Sequence, residues 1–284
     1  MRVASLPARL TLVLLAALGP ACSHKGPADI ATLASNSDQV VFEAGQKAAS
    51  KNNWEAARQH FKRVVDGFPQ SQYGPEARLS LADSYFREGG FGNYILAVSA
   101  YRDFLTLYPS HPKSDYAQYQ VGECFFLQKS GPDRDQTNTK KSLEEFQRLL
   151  EIHAASPYTE PARTRIRELR QSLARSEHVA GYFYQRTRKA YRASIARYEI
   201  VLSDFPDYDR LDEVLFRHAE CLTFMARKAE ALPQLNRLLA EYPNSSFSKE
   251  ARELMSSIEK EGLGVPLAPP TPPPATPPAP PGAS

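Results

Sequence analysis

Residues 54–69, WEAARQHFKRVVDGFP, decide the architecture of this chain. Ala57 stands four residues before Phe61, and Pro69 follows eight residues later. At helical spacing the small residue and the ring share one face, so a second helix approaches at the first and packs against the second. Proline has no N–H to give and clashes with the preceding turn, so it stops the helix. The same cadence returns at Ala97, Tyr101 and Pro109, at Ser194, Tyr198 and Pro206, and at Ala231, Leu235 and Pro243. A degraded copy lies between them, with Ser142 and Phe146 followed by Ala154 in the proline slot. Such self-similarity belongs to stacked helix pairs, each burying its apolar face against its neighbours.

Working outward, each copy has a first helix with small residues at its middle. These are Ala44-Gly45 and Ala48, Leu81-Ala82 with Tyr85, Val121-Gly122 with Phe125, and His218-Ala219 with Leu222. The fourth first-helix reads as longer than the rest, its apolar face carried by Leu173-Ala174, Val179 and Phe183. The pattern is that of tetratricopeptide repeats. It predicts an all-α fold, a right-handed superhelical array of about five helix pairs, closed by a capping helix near 248–260. From Pro69 to Pro109 is 40 residues, on to Ala154 is 45, to Pro206 is 52 and to Pro243 is 37. The ideal repeat is about 34 residues. The surplus falls in the turns Gly89–Asn93 and Ser130–Thr137, and insertions of this kind are where repeat proteins place function.

The ends carry other signals. Residues 1–21 read as an export signal: Arg2 and Arg9, the short apolar run Leu10–Leu18, and Ala21 before Cys22. Leu18-Gly19-Pro20-Ala21-Cys22 resembles a bacterial lipobox, with Gly19 where a Leu is usual. The expectation is a lipidated Cys22, with an ordinary secretory signal as the alternative, and residues 22–38 as a flexible tether. Residues 39–158 hold repeats one to three, and 159–262 hold repeats four and five with the cap. From Val265 the composition narrows to Pro, Ala and Thr, so 263–284 read as a disordered tail. The formal charge of +3 includes Arg2 and Arg9, and both signs are interspersed over the chain. No nucleic-acid partner is expected. Cys124 and Cys221 occupy equivalent places two repeats apart and are expected to be buried rather than bonded to each other.

The first helices of such a stack line its concave side. Register places Phe42, Gln46, Leu79, Asp83, Phe86, Arg87, Tyr116, Tyr119, Glu123 and Phe126 there. An aromatic groove with a few polar groups suits an extended peptide bearing aromatic side chains. Any single one of these rings has inter-repeat packing as its alternative role. The six histidines are scattered without a helical i, i+4 pair, and Gly89-Gly90-Phe91-Gly92 interrupts helices rather than following a strand. The expectation is a binding protein, with no enzyme activity, cofactor or metal.

One stretch carries a resemblance to a known family. Gly131-Pro132-Asp133-Arg134-Asp135-Gln136-Thr137 follows the aromatic pair Phe125-Phe126. With it come Leu173-Ala174, Glu177, Val179-Ala180, Tyr182-Phe183-Tyr184, Tyr191, Ala193, Arg197-Tyr198-Glu199 and Asp204-Phe205-Pro206. These, with Trp54-Glu55-Ala56-Ala57, Phe61, Phe68-Pro69 and Ser71, resemble the BamD family of lipoproteins in the outer-membrane β-barrel assembly machinery. The resemblance covers about residues 39–260. It implies a periplasmic scaffold anchored through Cys22 to the outer membrane, working with accessory lipoproteins. Its C-terminal half would bind the barrel-forming subunit, and its N-terminal repeats the aromatic-ended C-termini of unfolded outer-membrane proteins. Arg197 matches a family arginine tied to communication with the barrel-forming subunit, its alternative being a helix-surface ion pair with Glu199 or a neighbour. His153-Ala154 in place of Tyr-Pro and the Pro-rich tail depart from the family. A periplasmic repeat adaptor for cell-wall synthesis is the competing reading, although residues 23–38 lack the heptads it normally carries.

Overall fold

A computed structural model describes residues 37–262. The signal segment, Cys22, the tether up to residue 36 and the Pro-rich tail lie outside the described residues. Within them the chain forms eleven α-helices and no strand. The helices are α1 (Asp38–Ser50), α2 (Trp54–Gly67), α3 (Gly74–Glu88), α4 (Phe91–Leu107), α5 (Ser114–Leu127) and α6 (Thr137–Ile152). They continue with α7 (Thr159–Phe183), α8 (Tyr191–Asp204), α9 (Leu211–Phe224), α10 (Lys228–Glu241) and α11 (Ser248–Glu261). A π-turn, Tyr184–Arg188, extends α7. Helices pack chiefly on their sequence neighbours, giving five antiparallel pairs and a cap in a superhelical array. Successive helices alternate in direction, so turns within pairs fall on one edge of the array and turns between pairs on the other.

The cadence maps onto contacts directly. Ala57, Ala97, Ser142, Ser194 and Ala231 are fully buried, as are Tyr101, Phe146, Tyr198 and Leu235, with Phe61 at 1 % exposure. Three of the rings lie on glycines of the partner helix. A Cβ at Gly45, Gly122 or Gly181 would come within 2.6 Å of Phe61, Phe146 or Tyr198 respectively. Where the small residue is serine it also bonds across the pair: Ser142 Oγ donates to the Gly122 carbonyl at 2.9 Å and Ser194 Oγ to that of Gly181 at 2.6 Å. This corrects the fourth register. The point of close approach is Gly181, seven residues past Ala174, while Val179 and Phe183 stay 38 % and 43 % exposed. Ala174 is buried one layer earlier in the same 25-residue helix.

Each second helix ends the same way. The residue after it (Phe68, Tyr108, His153, Phe205 or Tyr242) takes φ between −124° and −133°. Two tandem turns then lead to the next pair, as in Ser71 N–H to Phe68 C=O and Gly74 N–H to Ser71 C=O. Ala154 does not alter this: Ser156 N–H bonds His153 C=O at 3.0 Å just as its equivalents do. In three repeats the loop serine is tied back to the aspartate that opens the pair. Ser71 Oγ donates to Asp38 at 2.6 Å, Ser156 Oγ to Asp115 at 2.7 Å and Ser245 Oγ to Asp212 at 2.5 Å. These bonds close each helix pair at the edge where the next one begins. Cys124 and Cys221 are both buried free thiols, as their register predicts.

Candidate functional site

The residues expected on the concave side fall into three groups. Phe42 and Leu79 are enclosed, at 5 % and 2 % exposure. Phe42 stacks on Tyr73 at 5.2 Å and tilts against Phe61 at 5.8 Å, so its ring closes the first repeat onto the second. Gln46 and Arg87 are exposed and, with Ser80 and Asp83, line a hollow between α1 and α3. Phe86 is half-buried and leans on Tyr94.

Asp83 organises the middle of the face. Its Oδ1 accepts hydrogen bonds from Tyr101 Oη at 2.6 Å and Tyr116 Oη at 2.9 Å. Burial raises the Asp83 pKa, opposed by these two hydroxyls and by the charges of Arg87 and Lys113. Burial, together with the Asp83 charge, pushes the Tyr116 phenol up to about 12. The hollow on the far side of Asp83 is lined by Leu79, Pro112, Lys113, Tyr116 and Tyr158. Asp83 therefore faces two adjacent hollows from one buttressed position.

Tyr119, Glu123 and Phe126 form the third group with Arg165 of α7. Glu123 is buried and receives the Arg165 guanidinium at 2.7 and 3.2 Å. That same guanidinium lies over the Phe126 ring, 4.1 Å from its centre. Hydrogen bonding to Glu123 is the main cause raising the Arg165 pKa. Tyr119 stacks on Tyr158 at 5.1 Å and leans on Phe146 at 5.4 Å; burial raises its pKa to about 12. Glu123 is thus committed within the fold, while the half-buried Tyr119 and Phe126 keep part of each ring at the surface.

Arg197 and the Asp-Gln-Thr loop, far apart in sequence, meet at one cleft. Pro132, Asp133 and Arg134 form one wall and Glu177, Val179, Phe183, Tyr184 and Arg197 the other. The loop is held from inside by Gln136, whose Nε2 donates to the Gly131 carbonyl at 2.7 Å and the Arg134 carbonyl at 3.0 Å. Asp135 caps α6 through Thr137 N–H at 3.1 Å and Thr137 Oγ1 at 2.9 Å. Arg197 is paired with Glu177 at 2.8 Å, not with Glu199 of its own helix. Val179 and Phe183, expected on the apolar face of their helix, stand at the surface and line this cleft. The signal was there, since two apolar side chains on the outer face of a helix otherwise buried by Leu173 and Gly181 have no core to enter.

A stack of five antiparallel helix pairs with a cap is a tetratricopeptide-type array. The chain belongs to the YfiO family, outer membrane lipoproteins, whose family profile matches residues 34–231. It is 24 % identical over 248 residues to the outer membrane protein assembly factor BamD of Caulobacter vibrioides, covering 87 % of this chain and 80 % of that protein. It is 27 % identical over 232 residues to the BamD of Haemophilus influenzae, covering 78 % and 86 %. The BamD of Vibrio cholerae is 25 % identical over 213 residues, covering 70 % and 87 %.

Proposed function

We propose that this chain is a non-enzymatic scaffold of outer-membrane β-barrel assembly, held on the periplasmic face of the outer membrane through an acylated Cys22. Its relatives' name as assembly factors and its family of outer membrane lipoproteins support the setting. No helix among the described residues is long and apolar enough to cross a membrane, which leaves the anchoring to residues outside them. The partner of the C-terminal half is the barrel-forming subunit, engaged at the cleft of Arg197 and the Asp-Gln-Thr loop. Accessory lipoproteins complete the assembly.

What supports the reading is a set of buttressed rings on α5. Tyr116, Tyr119 and Phe126 are half-buried, with Tyr101 edge-on to Tyr116 at 6.4 Å, Tyr158 stacked on Tyr119 at 5.1 Å and Arg165 over Phe126 at 4.1 Å. Pre-positioned rings bind an extended aromatic-rich segment without first having to be ordered. Asp83 and Arg87 add one polar group of each sign. The occupant is the C-terminal segment of an unfolded outer-membrane protein. Affinity purification from membranes in mild detergent tests the scaffold role, and failure to recover the barrel-forming subunit would sink it. Mass spectrometry of the N-terminus tests the anchor; an unmodified soluble protein counts against it. Tyr119→Ala with Phe126→Ala should weaken binding of aromatic-ended peptides, and unchanged affinity removes the groove while leaving the scaffold.

A further inference from the structure

Between Glu177 and Glu199 the chain runs 21 residues without an acidic side chain, the longest such run within 37–262. That run carries Arg186, Arg188, Lys189, Arg192 and Arg197. Read over the whole chain the two signs interleave, but here they do not. Glu177 holds Arg197, and Arg186 has Glu220 at 3.7 Å. Among the described residues Arg188, Lys189 and Arg192 form no ion pair, and all three are exposed. The Arg188 guanidinium lies 5.7 Å from the centre of the Phe183 ring.

The backbone explains why these cations project. Gln185 is buried at 1 % exposure; its Oε1 accepts from the Tyr198 hydroxyl at 2.9 Å and its Nε2 donates to Glu220 at 3.1 Å. With Gln185 pinned inward, the chain widens into the π-turn, and Lys189 closes it at φ 54°, a left-handed conformation unusual for a side chain of this size. Such turns and strained residues persist where surrounding contacts over-determine them, and they concentrate at functional places. The result is a cationic tip on the edge formed by the turns within pairs. Phe183 is 43 % exposed on one side of it. On the other, Phe224 of the next turn is 62 % exposed and stacks on Tyr191 at 4.7 Å.

We infer that this tip is a contact surface for anionic phospholipid headgroups. Unpaired cations between exposed rings suit a flat charged interface, where aromatics settle at headgroup level and cations are drawn to the surface potential. The three unpaired cations lie outside the lining of the cleft between Pro132–Arg134 and Arg197, which Phe183 borders from its other side. The membership of this chain in an outer membrane lipoprotein family puts such a surface within its surroundings. The inference does not depend on the peptide groove, which lies on the concave side.

Each cation near an anionic leaflet contributes about fivefold to binding at low salt, so the three unpaired ones together account for up to about a hundredfold. The test is flotation of the chain from residue 22 onward, which contains every described helix, with Cys22→Ser so that no acyl chain contributes. Vesicles are phosphatidylcholine alone, or phosphatidylcholine with about a quarter phosphatidylglycerol. The expected result is binding to the anionic vesicles only, salt-sensitive, and falling at least about tenfold in R188E/K189E/R192E. K62E/R63E/R148E makes the same change in net charge on exposed residues elsewhere and should leave binding unchanged. R188K/R192K, which keeps the charge, should retain binding, and circular dichroism melting checks that every variant is folded. No flotation of the parent chain, equal loss in both charge-reversed variants, or undiminished binding by the tip variant would each overturn the inference. So would capture of the parent on poly-glutamate but not on vesicles, which would assign the tip to an acidic protein segment.

Discussion

Gly122→Ala puts the helix-pair contact to a direct test. The added Cβ would sit 2.6 Å from Phe146 Cε1 and 2.8 Å from its Cδ1 and Cζ, about 0.8 Å inside ordinary contact at 3.4 Å. The ring has little room to recoil. It is fully buried, with Tyr119 leaning on it at 5.4 Å, and Ser142 Oγ ties the two helices together at 2.9 Å beside the clash. Overpacking of this kind costs about 3 kcal/mol at the upper end of its usual range. Replacing glycine by alanine within a helix returns up to about 1 kcal/mol. The net of about 2 kcal/mol corresponds to a fall in Tm of roughly 4–8 °C for a domain of this size. Gly92→Ala is the control, because a Cβ there meets nothing within 4 Å and only the helix gain remains. Thermal melting followed by far-UV circular dichroism reads both. Phe146→Leu added to Gly122→Ala should recover part of the loss, since a smaller side chain leaves space for the methyl group. If Gly122→Ala melted at or above the parent temperature, as Gly92→Ala should, close approach at that glycine would not be what holds the pair.

Three further outcomes follow from the same contacts. Ser194→Ala removes the bond to the Gly181 carbonyl and should cost about 1 kcal/mol by denaturant titration, a modest loss because Ala57, Ala97 and Ala231 fill the equivalent slot without it. Burial lowers the pKa values of His178 and His218 to about 4 from an ordinary 6.5. The unfolded chain therefore takes up protons that the fold refuses, and stability, full above pH 6.5, should fall as pH drops from 6.5 towards 4. Neither ring nitrogen of His218 has a hydrogen-bond partner, so His218→Leu should flatten that pH slope without lowering stability at pH 7; an unchanged slope would refute the assignment. Arg197→Ala breaks a partly exposed pair worth at most about 1 kcal/mol, so it should melt within a few degrees of the parent. Under the proposed function it should nevertheless recover less barrel-forming subunit, and equal recovery would return Arg197 to a surface ion pair.

Much of the fold was legible because helix packing writes itself into sequence at short range. A small residue and a ring four apart on one helix, with a breaker beyond, specify a helix and the face it buries, and five such copies specify the stack. The buried cysteines and the lengthened fourth helix were legible for the same reason. Less could be read at Phe42 and Leu79, where the period that points a side chain toward the concave side also points it at the neighbouring helix. How far the neighbour covers it depends on inter-helix distance, which one helix does not encode.

The fourth register shows the limit plainly. Ala174 and Gly181 are seven residues apart, two turns of one helix, and therefore on the same face. Periodicity cannot choose between them. Only the position of Tyr198 on the facing helix selects Gly181. The cationic tip was hidden differently: its charges are plain in the sequence, but their freedom from acidic partners depends on Glu177 and Glu220 reaching Arg197, Arg217 and Arg186 and stopping there. The cleft is the strongest case, since Arg197 and the Asp-Gln-Thr loop come together only when α7 and α8 stack on α5 and α6. The sequence by itself determined which residues form helices and which faces they bury, because those rest on the 3.6-residue repeat and on the volumes of nearby side chains. The tertiary structure alone decided which buried faces meet and which charges remain unpaired, because those depend on distances between segments that the chain joins only through its turns.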